Sequence, residues 1–399
     1  MHAPTIVARV LAPCVKNLHR KQAHALLRAS AGLLIGCAAS LSSIALRVSG
    51  LTSFKHRLKS VDRLLGNSTL HSWRWQLYRQ VAACWLGDLS SVLMVIDWSD
   101  LTRDQRLHLL RASIAVQGRS ITLYEEVHPQ KHFASPRVHR AFLQRVALML
   151  PSGCKPVVMT DAGFHSPWFK LMNEMGWDFI GRVRGQNQLR DAQSRSWCAA
   201  RELFARAQGQ ARDLGCDAYA RSNPVTVRAV LAKRPKKHRH ALNIYGAKRR
   251  GRVSLKNAQS AREPWLLVCS LGLSHLSPEG VVALYGQRMQ IEQSFRDTKN
   301  LRVGMGLCTS RCTSARRLEM LLLLVHLVTF VQRIVGEYAK QNQLELQFMA
   351  RRRADRSELS TITLGRRIIA TGASWLNRFN PRHAIEALCR QAASHLEAT

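Results

Sequence analysis

Ser91-Val-Leu-Met-Val-Ile-Asp-Trp-Ser-Asp100 is the stretch on which the fold turns. Val92 to Ile96 is a short, unbroken apolar run of the kind found in a strand covered on both faces, and it hands the chain to Asp97. Downstream, Leu110 to Val116, a turn at Gln117-Gly118-Arg119, and Ser120 to Glu126 predict a hairpin. A helix is expected from Ser135-Pro136 to Leu150, because Ser caps well and Pro suits the first turn. A second apolar run, Pro156 to Thr160, then delivers Asp161-Ala-Gly163. Strand, hairpin, helix, strand describes a mixed α/β (α+β) sheet with helical cover. It places an acid at the C-terminal end of two strands, a position that turn-forming aspartates also occupy.

Farther along lies Tyr285-Gly-Gln-Arg288-Met-Gln-Ile-Glu292-Gln-Ser-Phe-Arg296-Asp-Thr-Lys299. Read as one helix at about 100° per residue, it gathers Arg288, Lys299, Glu292, Tyr285 and Arg296 into a stripe of roughly 80°. Leu284, Ile291 and Phe295 form the adjacent apolar face. One carboxylate among phosphate-seeking groups suits phosphodiester chemistry, and an exposed Arg/Glu/Lys lattice on an ordinary amphipathic helix suits the same pattern.

The charge narrows the choice of partner. Sixty Lys and Arg against 25 Asp and Glu leave a net +35 over 399 residues, which implies a polyanion, most simply nucleic acid. No membrane partner is expected: Ala31 to Leu46 is short and polar-interrupted, Met320 to Phe330 is shorter, and Arg9 and Pro13 break the N-terminal apolar run. A cytoplasmic, nucleoid-associated protein follows. Ten scattered cysteines read as reduced thiols, and the Cys308/Cys312 pair lacks the second pair that a zinc site needs.

Residues 1–85 read as a helical DNA-binding domain. Leu41 to Val48, a break at Ser49-Gly50 and a helix from Phe54 to Leu65 after a Ser53 cap resemble a helix-turn-helix, whose second helix carries Lys55, His56, Arg57, Lys59 and Arg63. A generic basic helix accounts for the same residues. Between about 180 and 270 the chain reads as a β-rich insertion, with strand candidates at Ile180 to Gly185, which carries Arg182 and Arg184 as DNA contacts, Val225 to Leu231, and Trp265 to Cys269. No acid occurs between Asp217 and Glu263, whereas Lys233, Arg234, Lys236, Lys237, Arg239, Lys248, Arg249, Arg250, Arg252 and Lys256 do, in either a solvated loop or a phosphate contact. Ala315 to Gln341 is a long helix, and residues 311–399 read as a helical region for dimerisation and DNA contact. Residues 86–310 are then the catalytic core.

If the long helix carrying Glu292 packs beside the two strand ends, Asp97, Asp161 and Glu292 converge. Three carboxylates supply oxygen ligands for two Mg²⁺ ions, with Mn²⁺ able to substitute, as a two-metal displacement at phosphorus requires. Arg288, Lys299 and Tyr285 are placed to hold phosphates of the cut strand.

The pattern Tyr-x2-Arg-x3-Glu-x6-Lys at 285, 288, 292 and 299 resembles the signature of the insertion-sequence four family of cut-and-paste DDE transposases. Ile96-Asp-Trp-Ser-Asp100, Thr160-Asp-Ala-Gly-Phe164 and Arg63-Leu-Leu-Gly-Asn67 are similar to further motifs of that family, closest to its Tn-ten branch. The resemblance implies an RNase H-like core with a β-rich insertion, and a DDE triad of Asp97, Asp161 and Glu292. It also implies Tyr285, Arg288 and Lys299 on transposon-end DNA, and Trp265 stacked on a base flipped from that end. Arg296 shares the face but not the signature and is left as a structural or general DNA contact. Cleavage at terminal inverted repeats through a hairpin intermediate, joining of 3′-hydroxyls to double-stranded target DNA, and a homodimer acting in trans are implied likewise. A non-catalytic DNA-binding derivative and a structure-directed nuclease are the alternative readings.

Overall fold

The computed structural model describes residues 2–102, 104–233, 251, 263–349 and 359–397. The chain divides into two compact units, one built from residues up to Cys154 together with those from Arg288 onward, the other from Lys155 to Gln287.

The first unit opens with helices α1 (Ala3–Val15), α2 (Arg20–Gly36), α3 (Leu41–Arg47), α4 (Phe54–Gly66) and α5 (Ser68–Leu86). Ser40, Ser53 and Asn67 start α3, α4 and α5, each side chain accepting the backbone N–H three residues on. Such caps satisfy amides that a helix start otherwise leaves without a partner. The pair α3 and α4 flanks Ser49-Gly50, where the sequence places a helix-turn-helix.

An antiparallel meander follows, β1 (Ser91–Asp100), β2 (Leu107–Ile114) and β3 (Ile121–Pro129). Val92 to Ile96 are fully buried, as a run without alternation requires. The strand outlasts its apolar run: Asp97 to Asp100 stay paired with Arg111 to His108, so Asp97 lies inside β1 and not past its end. Helix α6 (Pro136–Ala147) starts at the predicted Ser135-Pro136 and stops three residues short of Leu150.

In the second unit, β4 (Lys155–Thr160), α7 (Ser166–Glu174) and β5 (Asp178–Val183) make a parallel β–α–β crossover. Gly181 in β5 lets the Phe169 ring of α7 come so close that any side chain there would overlap it. Four short elements, β6 (Gln188–Asp191), β7 (Trp197–Ala199), α8 (Ala200–Leu203) and β8 (Arg212–Asp213), lead to β9 (Cys216–Tyr219), β10 (Val225–Thr226), β11 (Arg228–Ala232) and β12 (Trp265–Cys269). Strands β5, β12, β11 and β8 pair in that order, while β10, β9, β6 and β7 form a separate small sheet. Lys233 alone of the ten-cation window falls within the described residues; the others lie outside them, as do Arg351 to Arg353. Helix α9 (Pro278–Gly286) closes the unit, with Ser277 as its cap.

One expected helix is two. Gly286 ends α9 and α10 (Met289–Lys299) begins beyond Gln287 and Arg288, so the five-residue stripe from Tyr285 to Lys299 does not form on a single helix. Glycine is costly inside a helix, and the apolar spacing that runs on past it conceals the break. Tyr285 ends in the second unit and Glu292 in the first.

The first unit is completed by α11 (Ala315–Gln341), α12 (Thr361–Thr371) and α13 (Pro381–Glu397). Helix α11 has 27 residues and is long and apolar enough to cross a membrane, longer than the run from Met320 to Phe330 suggests; 94% of its apolar window lies buried inside the unit. It packs against α1, α2, α5, α12, α13 and β3. Near its start the buried Glu319 accepts from Arg74 (2.8 Å) and from the backbone N–H of Val127 (3.1 Å), tying α5 and β3 to it. Farther along, α11 and α12 touch backbone to backbone at Gly336 and Gly365, where a Cβ would run into the carbonyl oxygens of Thr361 and Gln332.

Backbone cannot move aside as a flexible side chain does, so Gly336→Ala is expected to destabilise the protein by about 1–3 kcal/mol despite alanine's better helix propensity. Urea unfolding measures this, and an unchanged or raised midpoint would contradict the close crossing.

Candidate active site

Asp97 points from β1 in a setting that is 9% exposed. Its Oδ1 accepts the backbone N–H of Trp98 at 2.8 Å, and its Oδ2 accepts Arg288 Nη1 at 3.0 Å. Arg288 stands immediately before α10, and its Nη2 donates to Glu292 Oε1 at 2.7 Å. Glu292 lies in the first turn of α10, where the helix dipole favours an acid, and its side chain is 45% exposed. The guanidinium thus spans two carboxylates that reach it from different elements and from positions 195 residues apart in sequence, Asp97 and Glu292. Their convergence is the part of the expected triad that lies within one unit.

At the other end of α10, the Lys299 ammonium donates to Ser99 Oγ and to the Asp100 carbonyl, both at 2.6 Å, and lies 5.4 Å from the centre of the Phe295 ring. Burial, and then the charge of Arg111, pull its pKa down to about 8. Helix α10 is therefore fastened to β1 at both ends by cations that also face the acids. Arg296 is exposed on the same helix.

Behind α10 lies a polar anchor that no motif announced. The Arg111 guanidinium donates to Ser294 Oγ (2.8 Å) and Thr298 Oγ1 (3.0 Å), Gln290 Oε1 accepts the backbone N–H of Val116 (3.2 Å), and Arg119 pairs with Asp297 (2.8 Å). Burial raises the Asp297 carboxyl above its ordinary pKa, against the pull of Arg119. A lone arginine in the apolar strand Leu107–Ile114 was the available signal.

The second unit holds the remaining expected site residues. Asp161 follows β4, and its Oδ1 accepts the backbone N–H of Gly163 at 2.8 Å, the turn geometry that Asp-x-Gly favours. Tyr285 is buried at 2% exposure, with its ring edge-on to Trp265, centroids 5.0 Å apart. Arg182 and Arg184 both reach Glu263: Arg184 pairs with its carboxylate at 2.6 Å and Arg182 donates to its carbonyl at 3.5 Å. These arginines are held by an acid at the edge of the basic window.

Among the described residues no three His, Cys, Asp or Glu side chains are grouped as a metal site. The donor chemistry of the first unit still fits a hard divalent cation, since two carboxylates converge on one cationic group, each within 3.0 Å of it.

The chain matches no curated protein. A family model for the transposase DDE domain does match, over residues 89–328. That span covers more than half of the chain, opens just before β1 and closes within α11, so that it takes in both strand acids and the helix bearing Glu292. With Asp97 and Glu292 converging inside this span, the chain belongs to the transposase DDE domain family.

Proposed function

We propose that the protein is a cut-and-paste transposase of the insertion-sequence four type, closest to the Tn-ten branch, with Asp97, Asp161 and Glu292 as its DDE triad in an RNase H-like core. The observation that carries this reading is Arg288 held between Asp97 and Glu292. Two carboxylates drawn together this way form a site for positive charge, and Asp97 and Glu292, with Asp161, would hold two Mg²⁺ ions. When bound, those ions polarise the scissile phosphate and lower the pKa of the attacking water or hydroxyl.

The chain's own residues position and neutralise. Arg288, once its acids are engaged elsewhere, offers a planar fork to a phosphate of the cut strand. Lys299 presents a point charge beside β1, Tyr285 a hydroxyl, and Trp265 a ring face on which a base flipped from the transposon end stacks. Arg296, Arg182, Arg184 and the basic window add contacts to backbone phosphate. Helices α3 and α4 read the terminal inverted repeat, and a homodimer in the cytoplasm brings the two ends together. A hairpin at each transposon end precedes joining of the 3′-hydroxyls to target DNA.

The experiment is a supercoiled plasmid carrying a marker between the element's own terminal inverted repeats, incubated with the full-length protein and Mg²⁺. Excised fragment and integrants are expected; cleavage without joining would favour a structure-directed nuclease, and binding alone a non-catalytic derivative. Glu292→Gln is expected to keep end binding while cutting cleavage by about a thousandfold or more, the equivalent of several kcal/mol of metal-assisted stabilisation. Retained nicking would sink the triad.

Lys299 supplies a second test, through pH. With a pKa near 8 it is cationic below that pH and neutral above, so its phosphate contact is present at pH 7 and fades as pH rises through 8. Burial sets most of this value, Arg111 lowers it further, and Asp100, Asp97 and Cys308 pull the other way. End-binding affinity should therefore weaken between pH 7 and 9, roughly the window around that pKa, and Lys299→Ala should flatten the profile. A wild-type profile that stays flat would remove Lys299 from the DNA contacts.

A further inference from the structure

Asp97, Arg111 and Glu125 stand opposite one another on β1, β2 and β3, so the three side chains share one face of the sheet. Arg111 is 1% exposed and Glu125 is 2% exposed. Arg111 Nε and Nη2 reach Glu125 Oε2 at 2.8 and 2.6 Å, and the buried Tyr78 hydroxyl donates to Glu125 Oε1 at 3.0 Å. The guanidinium plane is thereby fixed from the sheet side. Its remaining donors cross to α10, Nη1 to Ser294 and Nη2 to Thr298, and its carbon lies 4.9 Å from the centre of the Phe295 ring.

We propose that Arg111 is a positioning residue for the DDE site: its guanidinium fixes the rotation of α10 on β2 and so holds the Glu292 carboxylate opposite that of Asp97. The proposal rests on the transposase reading for what the site does, but its geometry stands on the contacts just given. Ser294 and Thr298 lie two and six residues beyond Glu292, and both are buried toward Arg111 while Glu292 faces solvent. A turn of α10 by about 20° would sweep the tip of Glu292 through roughly 2 Å, given a helix radius with side chains of about 5–6 Å. A catalytic constellation tolerates about 0.5 Å.

The residue type follows from the task. Arginine alone offers donors in a rigid plane that can meet one carboxylate and two hydroxyls at once; a lysine ammonium has three donors on a flexible stem and no plane to transmit. Glu125 supplies the counter-charge without which a buried guanidinium would not be tolerated. The same helix is also held by Gln290 near its start and by Asp297 between the two hydroxyls, while Arg111 alone binds it at two points from the face of the sheet that carries Asp97.

The test measures Mn²⁺ binding by the full-length protein with no DNA present. In Ser294→Ala/Thr298→Val the buried Arg111–Glu125 pair stays intact while α10 loses both hydroxyls. This variant should unfold at a lower midpoint, because Arg111 Nη1 loses its acceptor, and, measured where it is still folded, should bind Mn²⁺ about 10- to 100-fold more weakly, as loss of groups that orient ligands does. Thr298→Ser, which keeps the hydroxyl, should bind like wild type, and Thr298→Val alone should fall between. Glu292→Gln is run alongside. If Glu292→Gln weakens Mn²⁺ binding and the double variant does not, the positioning role is overturned and the DDE reading stands. If Glu292→Gln leaves binding unchanged, the metal-site reading is overturned and the positioning role goes with it.

Discussion

Two carboxylates a few ångström apart repel unless a cation stands between them, and in this protein that cation is the guanidinium of Arg288. At an effective dielectric of about 20, a unit charge pair at 4 Å is worth about 4 kcal/mol, so three charges in such a cluster cannot be arranged independently. The acid on β1 and the acid on α10 share a place because Arg288 sits at the junction of the two. An arginine in that position makes the pair of acids stable, and its planar fork would be the group to give way if a cation were to take its place.

Around that cluster the charges sort by depth. The exposed side of α10 carries Glu292 and Arg296, while its buried side meets Arg111 and Arg119, each matched to an acid, Glu125 and Asp297. A buried pair of this kind is poor at adding stability, because desolvation consumes much of the attraction. It is good at excluding alternatives: an α10 rotated by one residue would leave Arg111 Nη1 without its hydroxyl acceptor in a buried setting. The first unit accepts that cost along the helix that bears Glu292.

Much of this was legible in the sequence, and for a physical reason. Strands covered on both faces must be apolar without alternation, so Val92 to Ile96 and Pro156 to Thr160 announced β1 and β4, and the Ser53 and Ser135-Pro136 starts announced α4 and α6. The convergence of Asp97 and Glu292 could be expected on the condition that the helix of Glu292 packs beside β1, as it does. The break after Gly286 could not, because Leu284, Ile291 and Phe295 keep a helical spacing across it, and the resulting stripe joins residues of two units. Arg111 and Glu125 stayed hidden for another reason. Arg111 looks like a stray charge in an apolar strand and Glu125 like half of an acidic pair with Glu126 until the β2–β3 register sets them side by side, and register is fixed by pairing across the sheet, which a linear reading does not display.

The division of the chain carries a consequence for the order in which the protein takes shape. The second unit is one continuous segment, Lys155 to Gln287, and has its whole sequence once that segment has emerged. The first unit does not: β3, made early, waits for α11, which begins at Ala315, to cover it. At synthesis rates of about 5–20 residues per second, that wait lasts on the order of ten seconds, with an apolar sheet face and the charges of Arg111 and Glu125 still open to water. A nascent chain in that interval offers an uncovered apolar face to chaperones or to another copy of itself.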